Sequence, residues 1–283
     1  MTGGHDGFRP VEIPVKKCVA AEQPLAKGCR LVFVPDRDKV VTKRRGTALA
    51  EWNDPFIGNV LGFKEYGLHE HTVDQEVKTI ANRHMMETPE PQTKSEEWRC
   101  FVEAGRCLSK EIGRVGKAGV KEILGNKAGR ARKRMKQGLN SYFSEGLKSS
   151  HSLIKEMQKL EFYEVDKLET KEDRGIQYRS VEYNAALARF WTRIEHRMIK
   201  CVAGNEAGIP IAAKGQNWEQ RANCFFKAYL SFTNPVILMG DHKRFDAHYN
   251  EELLKQAHIR QLRATGFDPE HKKLLKRQFK NIG

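Results

Sequence analysis

Asp241 and Asp246 stand five positions apart in the stretch Asn234-Pro235-Val236-Ile237-Leu238-Met239-Gly240-Asp241-His242-Lys243-Arg244-Phe245-Asp246-Ala247-His248-Tyr249. A carboxylate at the end of a rigid strand can hold a hard divalent cation, Mg²⁺ or Mn²⁺, that prefers oxygen ligands and keeps substrate phosphates in its shell. With a second ion, such a site clamps the attacking and leaving oxygens of an in-line phosphoryl displacement. The second aspartate, displaced by a turn, would lie beside the first. There it could accept a hydrogen bond from a sugar hydroxyl, the group that separates RNA precursors from DNA precursors. A loop carboxylate followed by a helix N-cap has the same spacing, so the spacing alone does not choose.

The elements that would position this pair are readable on either side. Four large apolar residues, Val236 to Met239, follow Pro235. The run is too short for a helix and has the length of a buried strand. Beyond Ala247 the apolar residues Leu253, Leu254, Ala257 and Leu262, with His258, recur at three- and four-residue steps. That is a helix, closed by Gly266 as a C-terminal cap. Strand, aspartate, turn, aspartate and helix form one unit.

Cations suited to phosphate come in three groups. Around a charged turn at Lys171–Gly175, alternating residues from Glu161 to Arg179 predict a hairpin or paired strands. Lys167, Lys171, Arg174 and Arg179 would project from it and neutralise a triphosphate and its leaving pyrophosphate; a solvated charged surface is the alternative. Lys214 precedes Gly215 and a helix whose N-cap is Asn217, with Gln220 three residues on. It is a candidate phosphate contact or an ordinary turn residue. Between Arg106 and Gly138 there are eleven Lys/Arg against two acidic residues. Arg130, Arg132, Lys133, Arg134 and Lys136 carry the densest part and are candidate RNA contacts. Glycines 113, 116, 119, 125 and 129 should break this region into short helices.

Other segments are read as scaffold. A helix is expected from Val73 to Met86 with Val73, Val77, Ile80 and Ala81 inward, ended by Thr88-Pro89-Glu90-Pro91. Another begins at Asn184 as cap, buries Leu187, Phe190, Trp191, Ile194, Met198 and Cys201, and stops at Gly204. The helix after Asn217 should pack Trp218, Phe225, Phe226 and Tyr229 inward. Residues 1 to about 45 are extended and proline-rich, with a short strand at Arg30–Val34. The expected divisions are 1–93, an extended and helical region; 94–232, carrying the basic block; and 233–283, carrying the aspartate pair.

Composition narrows the function class. The net charge of +14, with a pI of about 9.5, over 283 residues points to a polyanionic partner, nucleic acid before an acidic membrane surface. With 39% hydrophobic and 30% charged residues the chain is globular but polar. No apolar run approaches the roughly 20 residues that cross a bilayer, so no transmembrane segment is expected and membrane recruitment would come through a partner. The six cysteines show no CxxC pair and no zinc spacing, and read as free thiols of a reducing compartment. His69, His71 and His84 have no ligand spacing around them that argues for a metal.

In order along the chain, several pieces resemble the viral RNA-directed RNA polymerases of the tombusvirus-like group. They are the basic segment from Lys167 to Arg179, Tyr183-Asn184 with a helix containing Glu195-His196, the Lys214-Gly215-Gln216-Asn217 turn, and Asp241 to His248. The first looks like the family's motif F and the last like its motif A, with Arg244-Phe245-Asp246-Ala247-His248 the most specific string. The likeness covers residues 161–262; from Gly129 to Leu147 it is looser.

That resemblance implies an α+β fold, with a helix-rich fingers region and the first strand and helix of a right-hand palm. It implies that Asp241 binds catalytic Mg²⁺ or Mn²⁺, that Asp246 recognises the ribose, and that Lys167, Lys171, Arg174 and Arg179 line the nucleotide entry channel. RNA template and product and nucleoside triphosphates would be the partners, in the host cytoplasm. No Gly-Asp-Asp tripeptide, the family's motif C, occurs in the sequence, and no motif B is seen before Gly283. The chain is then either a truncated product or one part of a polymerase divided between two polypeptides; the divided form is the expectation, with the Gly-Asp-Asp turn on a second chain. A non-catalytic RNA-binding replication factor and a metal-dependent nuclease are the competing readings.

Overall fold

The computed structural model describes residues 10–12, 14–19, 22–30, 36–42, 47–49, 66–202 and 205–279. All but the first residue of the strand expected at Arg30–Val34, and the stop at Gly204, lie outside the described residues. The chain forms two compact units. One comprises Met1–Pro89, Glu156–Gln177 and Arg244–His248; the other comprises Glu90–Lys155, Tyr178–Lys243 and Tyr249–Gly283. The fold is mixed helix and small sheets, the α+β class that was expected.

Among the described residues the first unit is built from short strands and one α-helix. Strands β1 (Pro10–Glu12) and β4 (Thr47–Leu49) pair antiparallel, as do β3 (Val40–Thr42) and β6 (His71–Thr72). Strand β5 (Tyr66–His69) runs parallel to β2 (Val15–Lys16) and antiparallel to β8 (Tyr163–Glu164). The last pair is β7 (Lys155–Gln158) with β9 (Gly175–Tyr178). The strand at 175–178 thus takes a partner upstream of the segment expected. Glu172 and Asp173 turn into the interior, so the 165–174 segment is a tethered loop and no tight hairpin turn.

Helix α1 (Val73–Arg83) starts where the Thr72 hydroxyl accepts the Gln75 N–H, at 3.3 Å. Its buried residues are Gln75, Thr79, Ala81 and Asn82, while Val73, Val77 and Ile80 are only half-buried. The inward face is polar because its neighbours are polar. Thr79 Oγ1 donates to the Asp173 carbonyl at 3.3 Å, Gln158 Nε2 donates to Thr79 Oγ1 at 3.1 Å, and Asn82 Oδ1 accepts the Gln23 N–H at 2.7 Å.

The second unit is helical. Glycines cut its first part as expected: α2 (Glu96–Ile112) ends at Gly113, with φ +65°, α3 (Val120–Gly125) follows Gly119, and α4 (Gly129–Glu145) opens at Gly129. Helix α5 (Val181–Met198) is the centre of this unit. Along its length it contributes to three apolar clusters: Ala185 with Ala118, Ile123, Leu124 and Leu139; Ile194 with Ile112, Cys201 and Ala264; and Tyr183, Ala186 and Phe190 with Leu274. Its cap is Ser180, whose hydroxyl accepts the Tyr183 N–H. Asn184 sits inside the first turn and donates to the Arg179 carbonyl instead.

Helix α6 (Trp218–Leu230) carries the expected capping box, with Asn217 and Gln220 exchanging hydrogen bonds at 2.8 and 2.9 Å. None of its residues is buried, however, and Trp218 is 84% exposed. The apolar run after it, with Val236 82% and Leu238 and Met239 each 93% exposed, pairs with no strand among the described residues. A strand closes its N–H and C=O groups only on a neighbouring strand, and without one the run stays irregular. Helices α7 (Glu251–Ala264, capped by Asn250) and α8 (Pro269–Lys276, capped by Asp268) complete the unit. The six cysteines are free. No helix among the described residues is long and apolar enough to cross a membrane.

Candidate functional site

The basic loop and the Arg-Phe-Asp turn meet in the first unit. A 3₁₀ turn at Val165–Lys167 leads into the loop, where Leu168 is fully buried and Lys167 pairs with Glu164. Lys171 projects into solvent with no ionic partner among the described residues. The next two side chains reverse direction. Asp173 Oδ1 lies 2.7 Å from His69 Nδ1, and the other ring nitrogen of His69 lies 2.6 Å from the Leu168 carbonyl. Glu172, 3% exposed, accepts a two-point contact from Arg244, Nε at 3.0 Å and Nη2 at 3.1 Å. Arg83 Nε of α1 lies 3.1 Å from the same carboxylate.

Arg174, the next residue, turns outward again and forks onto Glu161, whose pKa its hydrogen bonds push down to about 2. The guanidinium of Arg174 is itself stabilised, first by Glu161 and in smaller part by the negative charge of Asp246. Asp246 sits in the 3₁₀ turn Phe245–His248, exposed and with no hydrogen bond or ion pair among the described residues. The carbonyl of Arg244 closes this turn, accepting the Ala247 N–H at 3.0 Å and lying 3.0 Å from His248 Nδ1. Of the residues singled out from the sequence, Lys167, Lys171, Arg174 and Asp246 therefore share one unit. Lys167, Lys171 and Arg174 are held on a loop whose root is a buried acidic pair.

The remaining candidates belong to the second unit. Asp241 is exposed and without a partner among the described residues. Arg179 donates to the Ser152 carbonyl at 3.0 Å and lies over the Tyr183 ring at 5.3 Å. Lys214 is paired with Glu195. On α4, Arg130, Lys133, Arg134 and Lys136 lie on the arc away from the packed residues Met135, Gly138 and Leu139, open to solvent. Arg132 folds back onto the Leu124 carbonyl.

Among the described residues no group of three or more His, Cys, Asp or Glu could hold a metal ion. Asp241 offers one exposed carboxylate, which does not by itself make a Mg²⁺ centre. Sequence reasoning missed Glu172, Arg83, His69 and Asp173 as members of the site. The signal available was an acidic pair, Glu172-Asp173, set inside a run of cations.

The family model for viral RNA-dependent RNA polymerases matches residues 43–283, and the chain belongs to that family. It is 31% identical over 162 residues to an RNA-directed RNA polymerase of Tobacco necrosis virus (strain A), covering 57% of this chain and 22% of that protein. With the RNA-directed RNA polymerase of Carnation mottle virus it shares 25% identity over 230 residues, 77% of this chain and 29% of the other. With that of Melon necrotic spot virus it shares 36% over 110 residues, 39% and 14% of the two chains. The chain thus spans less than a third of the length of each of these relatives. No solved structure matches it.

Proposed function

We propose that the chain is the part of an RNA-directed RNA polymerase that admits the nucleoside triphosphate and contributes the first carboxylate to nucleotidyl transfer. In that reaction the 3′ hydroxyl of the growing RNA attacks the α-phosphorus and pyrophosphate leaves, so positioning and charge stabilisation do the catalytic work. Residues 94–232 are assigned to fingers and 233–283 to the start of a palm. Lys167, Lys171, Arg174, Arg179 and Lys214 hold the triphosphate, Asp246 reads the ribose, and the outer arc of α4 holds RNA phosphates. Asp241 supplies one oxygen to Mg²⁺ or Mn²⁺, an ion that would neutralise phosphate charge when its other ligands are present. The carrying observation is the docking of Arg244 on Glu172, which sets the Asp246 turn into the unit that holds the basic loop.

The rest of the metal site is assigned to a second chain bearing a Gly-Asp-Asp turn. Two observations support this: Asp241 stands alone among the described residues, and the apolar Val236–Met239 run and Trp218 lie open, as surfaces that a partner would cover. The place of action is assigned to the host cytoplasm.

The test combines the purified chain, a companion polypeptide carrying Gly-Asp-Asp, an RNA template and the four nucleoside triphosphates. Labelled nucleotide should enter RNA only when both chains are present. Asp241→Ala should lower the rate by about 10²–10³ and leave RNA affinity unchanged. Unaltered synthesis by the Asp241→Ala complex would overturn the catalytic reading and leave an RNA-binding replication factor. RNA breakdown without nucleotides would mark a nuclease, and full synthesis by this chain alone would remove the need for a second.

A further inference from the structure

We propose that Glu172 is a positioning residue for sugar selection: its buried carboxylate, through Arg244, fixes the turn that carries Asp246. This rests on the reading of Asp246 as the ribose contact.

An ionised carboxylate taken out of water costs several kcal/mol unless it is paired with good geometry. Glu172 has that geometry from the fork of Arg244, and Arg83 adds a second positive charge beside it. Removing the charge would leave the Arg83 and Arg244 side chains, 20% and 13% exposed, with no other ion pair among the described residues. Its neighbour Asp173 is anchored separately, on His69. The two carboxylates therefore root the loop at three places: α1, β5 and the Arg244 turn.

The backbone of Arg244 shows why an anchor is needed. It has φ +52°, the left-handed region, which a residue bearing a side chain rarely adopts because its Cβ crowds the following carbonyl oxygen. Such a conformation persists where surrounding contacts over-determine it. Here the contact is the two-point hold on Glu172, and the same residue's carbonyl closes the turn through Ala247 and His248. Anchored at its first residue, the turn presents Asp246 to solvent within electrostatic reach of Arg174. Glu172 itself is sealed away and touches no nucleotide. Its effect should be on which sugar is accepted, with little effect on RNA binding.

The test uses the reconstituted two-chain polymerase and compares kcat/KM for ribonucleoside and deoxyribonucleoside triphosphates. Glu172→Gln keeps size and loses charge; Arg244→Lys keeps charge and loses the fork. Each should reduce the ribose preference about tenfold, and the double variant no further, because both remove one coupling. Asp246→Asn is run in parallel. If Asp246→Asn loses the preference and Glu172→Gln keeps it, the positioning role is wrong and the reading of Asp246 stands. If Asp246→Asn itself keeps the preference, the reading of Asp246 fails.

A readout independent of synthesis uses trypsin on the chain alone. Cleavage after Arg244 should be slow in the wild type and about tenfold faster in Glu172→Gln, since proteolysis follows the population of the open form. Equal cleavage would overturn the anchor, and should Glu172→Gln not fold, Arg244→Lys carries the selectivity comparison.

Discussion

The two units differ in what they bury. In the first, the buried side chains include His69, Gln75, Thr79, Asn82, Glu172 and Asp173 beside Leu68 and Leu168; in the second they include Leu139, Tyr183, Phe190, Ile194 and Leu274. An apolar interior stabilises in proportion to the area it removes from water and accepts many arrangements. A polar interior gains little net free energy, yet each donor must meet its acceptor, so it specifies direction. The Asp246 turn and the basic loop are held by the second kind of interior. Their placement is thus a matter of geometry more than of stability, and the two kinds of interior should answer differently to mutation.

The largest effect should come from the apolar side. Phe190 is buried against Tyr183, Ala186 and Leu274 and stacks on His271, with ring centres 4.4 Å apart. Phe190→Ala should cost about 3–5 kcal/mol, read as a fall in the urea midpoint with little change elsewhere in the catalytic parameters of folded material. A loss below about 1 kcal/mol would mean that α5 does not organise this unit.

Next is an acid-dependent effect. Burial holds the His271 imidazole neutral, its pKa pushed down to about 4 from 6.5. Above pH 6.5 neither the folded nor the unfolded chain binds this proton, and stability is unaffected. As pH falls from 6.5 towards 4, the unfolded chain takes up the proton first, and stability drops by at most about 3 kcal/mol. Asp268 and Glu270, whose pKa values are lowered, add their own loss at more acid pH. His271→Phe keeps a ring against Phe190 and should flatten the curve between pH 6.5 and 4 only. An unchanged slope in that window would show that His271 is not the group responsible.

The α4 cations provide a test with no stability component. Lys133→Ala and Arg134→Ala should each weaken RNA binding and lower the salt-dependence slope by just under one, since each phosphate contact releases about one counterion. They lie on the open arc of the helix, so the denaturation midpoint should hold.

How much of this was readable from the chain follows the same division. Features set within a few residues were legible: the Asn217–Gln220 capping box, the glycine breaks at 113, 119 and 129, and the helix ending before Gly266. Even so, Ser180 took the cap assigned to Asn184, because a serine three residues before a free N–H serves as well. Features set by distant partners were not legible. The apolar residues of α6 and the Val236–Met239 run lack the neighbours that would bury them. The inward face of α1 is polar because Asp173 and Gln158, roughly eighty or more residues on, meet it there. Glu172 looked like one charge in a mixed run; only its 72-residue separation from Arg244 in the chain, closed in space, reveals the pair.

The smallest effect is the one whose sign discriminates best. Gly138 lies inside α4, where Gly→Ala gains about 1 kcal/mol of propensity; Gly125 is the last residue of α3, at a backbone conformation alanine can adopt, where the change gains about 0.4–1 kcal/mol by restricting the unfolded chain. At Gly125 a new Cβ meets nothing within 4 Å, so Gly125→Ala should stabilise by up to about 1 kcal/mol. At Gly138 it would come to 2.7 Å from the Val181 carbonyl oxygen and 2.9 Å from its Cγ2. A backbone carbonyl cannot swing aside as a side chain can, so α4 and α5 would have to separate. Overpacking of that kind costs about 1–3 kcal/mol, which exceeds the propensity gain. Gly138→Ala should therefore destabilise by about 1 kcal/mol in urea unfolding while Gly125→Ala moves the other way. Stabilisation at both positions would mean that the α4–α5 contact is looser than the apolar interior of this unit requires.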